Sequence, residues 1–280
     1  MATRIADVDD TTTSGHDDDS RLDAALAARG LAKSRTTAAR LITDGLVTVD
    51  GVPVVKASAR VRSSQVVAVA ASDHYVSRAA HKLIAALDEF GIDPAVEWAL
   101  DVGASTGGFT QVLLERGARH VIALDVGHAQ LSPSIRSDDR VVTVEGFNAR
   151  FMTRTSLADA AGVTDIPTLV VSDLSFISIG IVLPAIVETV GVDADFVFLV
   201  KPQFEVGRTG IKEGIVTNAG LRADAINGVL WAAWDLGLST AGVISSPIAG
   251  TAGNREYLVW LNTRTGTNPT EWMQQVSAIA

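Results

Sequence analysis

Four ionisable residues of this 280-residue chain, Lys82, Asp173, Lys201 and Glu256, sit in local contexts suited to proton chemistry. Lys201 closes the apolar run of Leu199-Val200-Lys201-Pro202-Gln203-Phe204-Glu205, where Pro202 halts a strand and fixes the chain direction. Lys82 lies on the helical pattern Ser77-Arg78-Ala79-Ala80-His81-Lys82-Leu83. A lysine close to a second cation and partly desolvated gives up its proton more easily, so such a pair can supply a general base. Asp173 and Glu256 would hold the two cations together. A second constellation is the run Asp101-Val102-Gly103-Ala104-Ser105-Thr106-Gly107-Gly108-Phe109-Thr110, a strand end followed by a glycine turn and a helix. Its glycines let the backbone turn tightly and approach a ligand. The spacing differs from the dinucleotide fingerprint, and no Walker lysine follows, which argues against a nucleotide hydrolase. Asp125 closes the next strand, where an acid suits a ribose diol. Asn148 follows the third strand, where an amide suits an adenine edge.

Such residues need a rigid frame. Apolar runs predict strands at 98–101, 120–125, 141–145, 168–172, 196–200, 240–244 and 257–261. Amphipathic stretches at 77–90, 107–116, 177–190 and 218–234 alternate with them. Strands buried on both faces and separated by helices indicate an α/β, doubly wound, mostly parallel sheet, with the last two strands as an antiparallel edge pair. This large domain is expected over residues 75–265, with a C-terminal tail over 266–280.

The front of the chain has a different composition. Residues 1–19 are acidic and polar, with little to bury, and are expected to form a disordered tail. From Ser20, a helix capped by that serine buries Leu22, Ala25 and Leu26. A Lys33-Ser34-Arg35 turn leads into a second helix with Ala38, Ala39, Leu41 and Ile42 inside. The hairpin Val47-Thr48-Val49-Asp50-Gly51-Val52 follows, with a further strand around 66–69. The small unit spans 20–70, and residues 71–74 form a linker. The net charge of −9 conceals an asymmetry. Residues 21–70 carry eight basic side chains against only Asp23, Asp44 and Asp50. A local phosphate-binding face needs such a concentration of positive charge.

Several resemblances follow from these residues. Asp101, Gly103, Asp125 and Asn148, with Ala104, Ser105 and Gly107 in the turn, resemble the S-adenosylmethionine pocket of a Rossmann-type methyltransferase. Methyl transfer requires a nucleophile in line with the methyl group and a route for its proton. Enzymes acting on aromatic nitrogen normally carry an Asn/Asp-Pro-Pro-aromatic motif after the fourth strand, and this chain has Asp173-Leu174-Ser175-Phe176 there. Enzymes acting on a pyrimidine carbon usually employ a cysteine, and the chain has none. A ribose hydroxyl remains, and it calls for a strong base. Lys82, Asp173, Lys201 and Glu256 resemble, one by one, the K-D-K-E tetrad of the FtsJ/RrmJ-type ribose 2′-O-methyltransferases. The stretch from Arg21 to Val69 resembles the S4 RNA-binding domain. With GASTGGFT, DLSFIS and VKPQFE, the chain beyond residue 20 resembles the TlyA family, whose members methylate cytidine 2′-hydroxyls of ribosomal RNA and also carry a hemolysin label.

The resemblance implies that Lys201 is the base, that Lys82 eases its deprotonation and positions the ribose, and that Asp173 and Glu256 orient both. It implies phosphate contacts from Arg21, Lys33, Arg35 and Arg40, and such clusters suit recognition of RNA by shape and backbone. Arg78, close to Lys82 in sequence, is a separate candidate for an RNA contact near the active site. Ribosomal RNA or ribosomal subunits are the expected partners, and the cytoplasm the expected location. No apolar run reaches the roughly 18 residues a membrane span requires, so a directly lytic protein is disfavoured. Without cysteine, disulfides and thiolate metal sites are excluded, and no metal is expected. An S4-based assembly factor without catalysis stands as the alternative. Residues 207–218 read either as a substrate gate or as a plain connection.

Overall fold

The computed structural model describes residues 3–5, 19–43, 45–70, 74–207, 210–211, 214–250 and 253–280. Most of the acidic tail, the linker residues 71–73 and four positions of the 207–218 segment lie outside the described residues. The chain divides into two compact units: the described residues up to Tyr75 together with Gly253, and Val76–Gly250 together with Asn254–Ala280.

The smaller unit contains β1 (Thr3–Ile5), β2 (Ser20–Arg21), α1 (Leu22–Ala28), α2 (Arg35–Thr43), β3 (Val47–Val49), β4 (Val52–Pro53), β5 (Arg60–Val61) and β6 (Val67–Ala70). A four-stranded sheet runs β1-β6-β3-β4, and β2 pairs with β5. Leu22, Leu26, Ala38, Ile42 and Val47 are fully buried in one cluster, whereas Ala39 and Leu41, also expected inside, are only half-buried at the margin of the inward face. Asp50 and Gly51 both adopt positive φ, 51° and 78°, the requirement of a type I′ hairpin. Two expectations need correction. Ser20 does not cap α1, because it lies in β2, and Asp23 takes the Ala24 N–H at 2.8 Å instead. Thr3–Ile5, expected to be tail, pairs antiparallel with Ala68–Ala70.

The larger unit begins with α3 (Ala80–Phe90) and β7 (Trp98–Val102). There follow α4 (Gly108–Glu115), β8 (His120–Asp125), α5 (Pro133–Arg136), β9 (Val141–Glu145) and α6 (Arg154–Ala161). Next come β10 (Leu169–Ser172), α7 (Ile179–Val190), β11 (Asp195–Val200), α8 (Pro202–Glu205) and α9 (Ala219–Asp235). The unit ends with β12 (Ser239–Ser245), β13 (Tyr257–Asn262) and α10 (Met273–Ile279). The sheet order is β12-β13-β11-β10-β7-β8-β9. Strands β7 to β11 are mutually parallel, so the chain order reverses between β7 and β10 and leaves a crevice at their carboxyl ends. The interior strands are buried on both faces, as in Leu169–Ser172.

The last strand does more than close an edge. β13 inserts antiparallel between β11 and β12, with Tyr257 opposite Val200. Its first residues therefore enter the sheet at the end where the parallel strands finish. The expected C-terminal tail is also a helix, since α10 packs against α9 with Val276 fully buried.

Candidate active site

Sheet register assembles the four ionisable residues. Ser172 lies between Val102 on β7 and Phe198 on β11, so Asp173 emerges over the crevice. Lys201 follows the end of β11, and Pro202 at the first position of α8 turns the chain away. Glu256 immediately precedes Tyr257, the register partner of Val200. Lys82 arrives from α3, which packs against β13 and α4.

The resulting contacts form a continuous line of alternating charge. Lys82 Nζ donates to Glu256 Oε2 at 2.6 Å and lies 3.9 Å from Asp173 Oδ2. Lys201 Nζ is 2.6 Å from Asp173 Oδ1 and donates to Ser175 Oγ at 2.7 Å. Lys82, Lys201 and Glu256 are buried, and Asp173 is half-buried. Charges are tolerated at such depth only when paired and hydrogen-bonded, and the two cations match the two anions.

The glycine turn shares a cleft with this quartet. The cleft is lined by Ser77, Gly103, Ser105, Phe109, Asp173 and Lys201, among others. Gly103, at φ 85°, lies so close to the loop after β10 that a Cβ there would sit 3.2 Å from Leu174 Cδ2 and 3.3 Å from the Asp173 carbonyl oxygen. Ala104 is buried beneath the turn, and Ser105 is exposed on it with φ 47°. Gly107, also with positive φ, is the N-cap residue of α4. Asp125 is gripped on both oxygens: Oδ2 accepts the Ser105 N–H at 2.8 Å and Oδ1 accepts the Gly127 N–H at 2.7 Å. Each oxygen retains a lone pair, so the oriented carboxylate can still accept from a diol.

Two expected ligand contacts change character. Asp101 is fully buried, with Oδ2 accepting the Thr110 hydroxyl at 2.7 Å, so it braces α4 beneath the turn and lines no cleft wall. Burial pushes its carboxyl up to about 7. Asn148 is exposed, and its Oδ1 caps the next turn by accepting the Arg150 N–H at 3.1 Å, leaving Nδ2 to donate.

The basic residues of the smaller unit divide similarly. Arg21 donates twice to Asp23, at 2.9 and 3.1 Å, and Arg35 once at 3.2 Å. The Arg21 hydrogen bonds hold the Asp23 carboxyl well below the usual carboxylate range. Both arginines are thus partly committed to this buried acid. Lys33 and Arg40 are exposed. Arg78 is half-buried in the turn before α3.

Sequence reasoning passed over Ser175, Phe176, Glu205 and Gly250. The first two belong to DLSFIS and Glu205 to VKPQFE, stretches that carried the family resemblance without any role being given to these residues. Phe176 is 90% exposed with φ 65°, a conformation costly for a bulky side chain, and its ring lies 5.2 Å from that of Phe204. A hydroxyl two residues beyond Asp173 was the available signal for Ser175.

Comparison with known proteins decides the family. The FtsJ-like methyltransferase model matches residues 75–263, and the S4 domain model matches residues 20–67. The 16S/23S rRNA (cytidine-2'-O)-methyltransferase TlyA of Mycobacterium tuberculosis is 49% identical over 88% of this chain and 90% of its own length. The chain belongs to the TlyA family. It is an FtsJ-like methyltransferase with an S4 domain. Hemolysin A of Brachyspira hyodysenteriae is 41% identical over 85% of the chain and 98% of its own length. A Streptococcus thermophilus protein, solved under a hemolysin name, superposes with a TM-score of 0.71 at 34% identity, covering 94% of this chain and 96% of that one. No helix among the described residues is long and apolar enough to cross a membrane.

Proposed function

We propose that this methyltransferase acts on ribosomal RNA, taking a methyl group from S-adenosylmethionine to a cytidine ribose 2′-hydroxyl. The observation carrying this reading is the shared cleft, in which the glycine turn and the buried Lys201–Asp173 pair face the same space. The name of the 49%-identical relative supports the substrate.

The turn suits the cofactor. Gly103 keeps the backbone close without a side chain, the oriented Asp125 carboxylate can receive a ribose diol, and Asn148 Nδ2 can donate to an adenine edge. When bound, the cofactor supplies an activated methyl group. The protein's own residues then have to orient the hydroxyl and take its proton. Lys201 is the base. Its Nζ donates to Ser175 Oγ and lies 2.6 Å from Asp173 Oδ1, so both contacts fix where the amine stands in the cleft. Lys82, tied to Glu256 and facing Asp173, places a second cation beside that carboxylate and helps position the ribose. The exposed ring of Phe176 offers a stacking face to a base of the target strand that leaves its own stack. Lys33 and Arg40, with the uncommitted edges of Arg21 and Arg35, supply phosphate contacts from the S4 unit, and Arg78 adds one beside the cleft. A cytoplasmic location is consistent with a ribosomal substrate.

The test is incubation of purified protein with radiolabelled S-adenosylmethionine and unmodified small or large ribosomal subunits, beside Lys201→Ala. Label should enter ribosomal RNA as a 2′-O-methylcytidine. It should disappear in the variant, which should still bind the cofactor. Cofactor binding with no label in either subunit would remove ribosomal RNA as the substrate and favour the non-catalytic assembly factor.

A further inference from the structure

Lys201 and its partners Asp173 and Ser175 belong to two different loops, one following β11 and the other following β10. Ion pairing at Lys201 alone would leave these loops free to shift relative to each other, since a lysine stem has four rotatable bonds. A second link lies on the far side of α8. Glu205, the last residue of that helix, accepts the Ser178 hydroxyl at 2.5 Å on Oε2 and the Ile179 backbone N–H at 2.9 Å on Oε1. Ser178 is the N-cap of α7, and its own Oγ accepts the Gly180 N–H at 3.1 Å. The carboxylate therefore occupies the positive end of a twelve-residue helix and satisfies an N–H that no carbonyl of that helix can reach.

From these contacts we infer that Glu205 is a positioning residue of the methyl-transfer site: it clamps the loop carrying Asp173, Ser175 and Phe176 against the turn carrying Lys201. The clamp is short. Three residues separate Lys201 from Glu205, and three separate Ser175 from Ile179, so the Lys201–Ser175 and Glu205–Ile179 bonds close one small ring of chain. The Phe176–Phe204 contact lies within that ring. Phe176 holds positive φ inside it, and a strained residue persists only where its surroundings over-determine it. Burial raises the Glu205 carboxyl above its ordinary value, but the two donors work against that shift.

This inference rests on the methyltransferase reading for its catalytic consequence but not for its structural one, and the experiment separates the two. Wild type, Glu205→Ala and Glu205→Gln are compared by hydrogen–deuterium exchange over residues 173–180 and by methyl transfer normalised to cofactor-binding sites. Glutamine keeps an acceptor for Ile179, so it should protect the segment as wild type does and retain activity within about threefold. Alanine should speed exchange over 173–180 and lower kcat about ten- to a hundredfold, the effect of a displacement near 1 Å, while KM for the cofactor stays unchanged. Unchanged exchange in Glu205→Ala would overturn the clamp whatever the enzyme's substrate. Faster exchange with kcat per site intact would overturn its role in catalysis. A fall in folded fraction alone, with kcat per cofactor site preserved, would likewise count against positioning.

Discussion

Gly250 precedes the loop that leads back to Glu256, and a Cβ built there would collide with the Glu256 carboxylate, its carbon only 2.6 Å away. Glu256 cannot move aside without leaving Lys82, whose charge would then be buried and unpaired. Gly250→Ala should therefore lower kcat about tenfold or more through Lys82 while the cofactor affinity is retained. Measuring both constants checks this, and equal losses in both would point to general misfolding. Asp101 makes a different prediction, one about stability. Its carboxyl, pushed to about 7 by full burial, stays protonated in the folded protein while the unfolded chain ionises near pH 4. The folded state thus holds the extra proton between those values, and this group's contribution to stability falls as pH rises through that window. The loss is on the order of 4 kcal/mol, complete by about pH 7. Asp101→Asn, which can still accept from Thr110, should gain on wild type in urea midpoint between pH 4 and 7. Parallel pH curves would remove Asp101 as the cause.

At the scale of elements, a buried cation on α9 reaches the chain before that helix and the end of α10. Arg222 donates to the carbonyls of Val216, Thr217 and Ala280, at 3.0, 2.7 and 2.8 Å. Removing it leaves several buried acceptors without donors, so Arg222→Ala should cost about 2–4 kcal/mol in urea unfolding. A change below about 1 kcal/mol would mean that water replaces it fully. Elements also show how far local pattern reaches. The expected bounds of β8 and β9 agree with the structure, because apolar runs bounded by polar turns leave little choice. The helix expected from Ser77 begins instead at Ala80, since the Ser77 side chain takes the Ala79 N–H in a local turn and Gly108 packs close against it. The capping role expected of Ser20 was lost to strand pairing, which no local pattern reveals.

For the whole molecule the charge asymmetry matters most. The chain carries −9 overall, yet the S4 segment is basic, so RNA affinity has to come from a few exposed cations there. Lys33→Ala and Arg40→Ala should each weaken binding to ribosomal RNA without changing the methylated position. Each should also reduce the slope of log affinity against log salt by about 1. Arg21→Ala should behave differently, because it removes two of the donors to the buried Asp23 carboxylate and so destabilises the small unit. Salt titrations beside thermal melts separate these outcomes, and an unchanged salt slope in both Lys33 and Arg40 variants would move the RNA contact elsewhere.

The sequence by itself determined the main strands of the large sheet, the DG hairpin and the glycine turn, and its resemblance to known methyltransferases singled out the four ionisable residues. These depend on short-range periodicity and on residue chemistry that survives in any context. Only the tertiary structure decided that Asp101 is a buried brace, that Arg21 and Arg35 attend to Asp23, and that Glu205 reaches the start of α7. It also placed β13 inside the sheet, which delivers Glu256 to Lys82 from 174 residues away. Side-chain partners follow from register and burial, and both emerge only when distant segments pack.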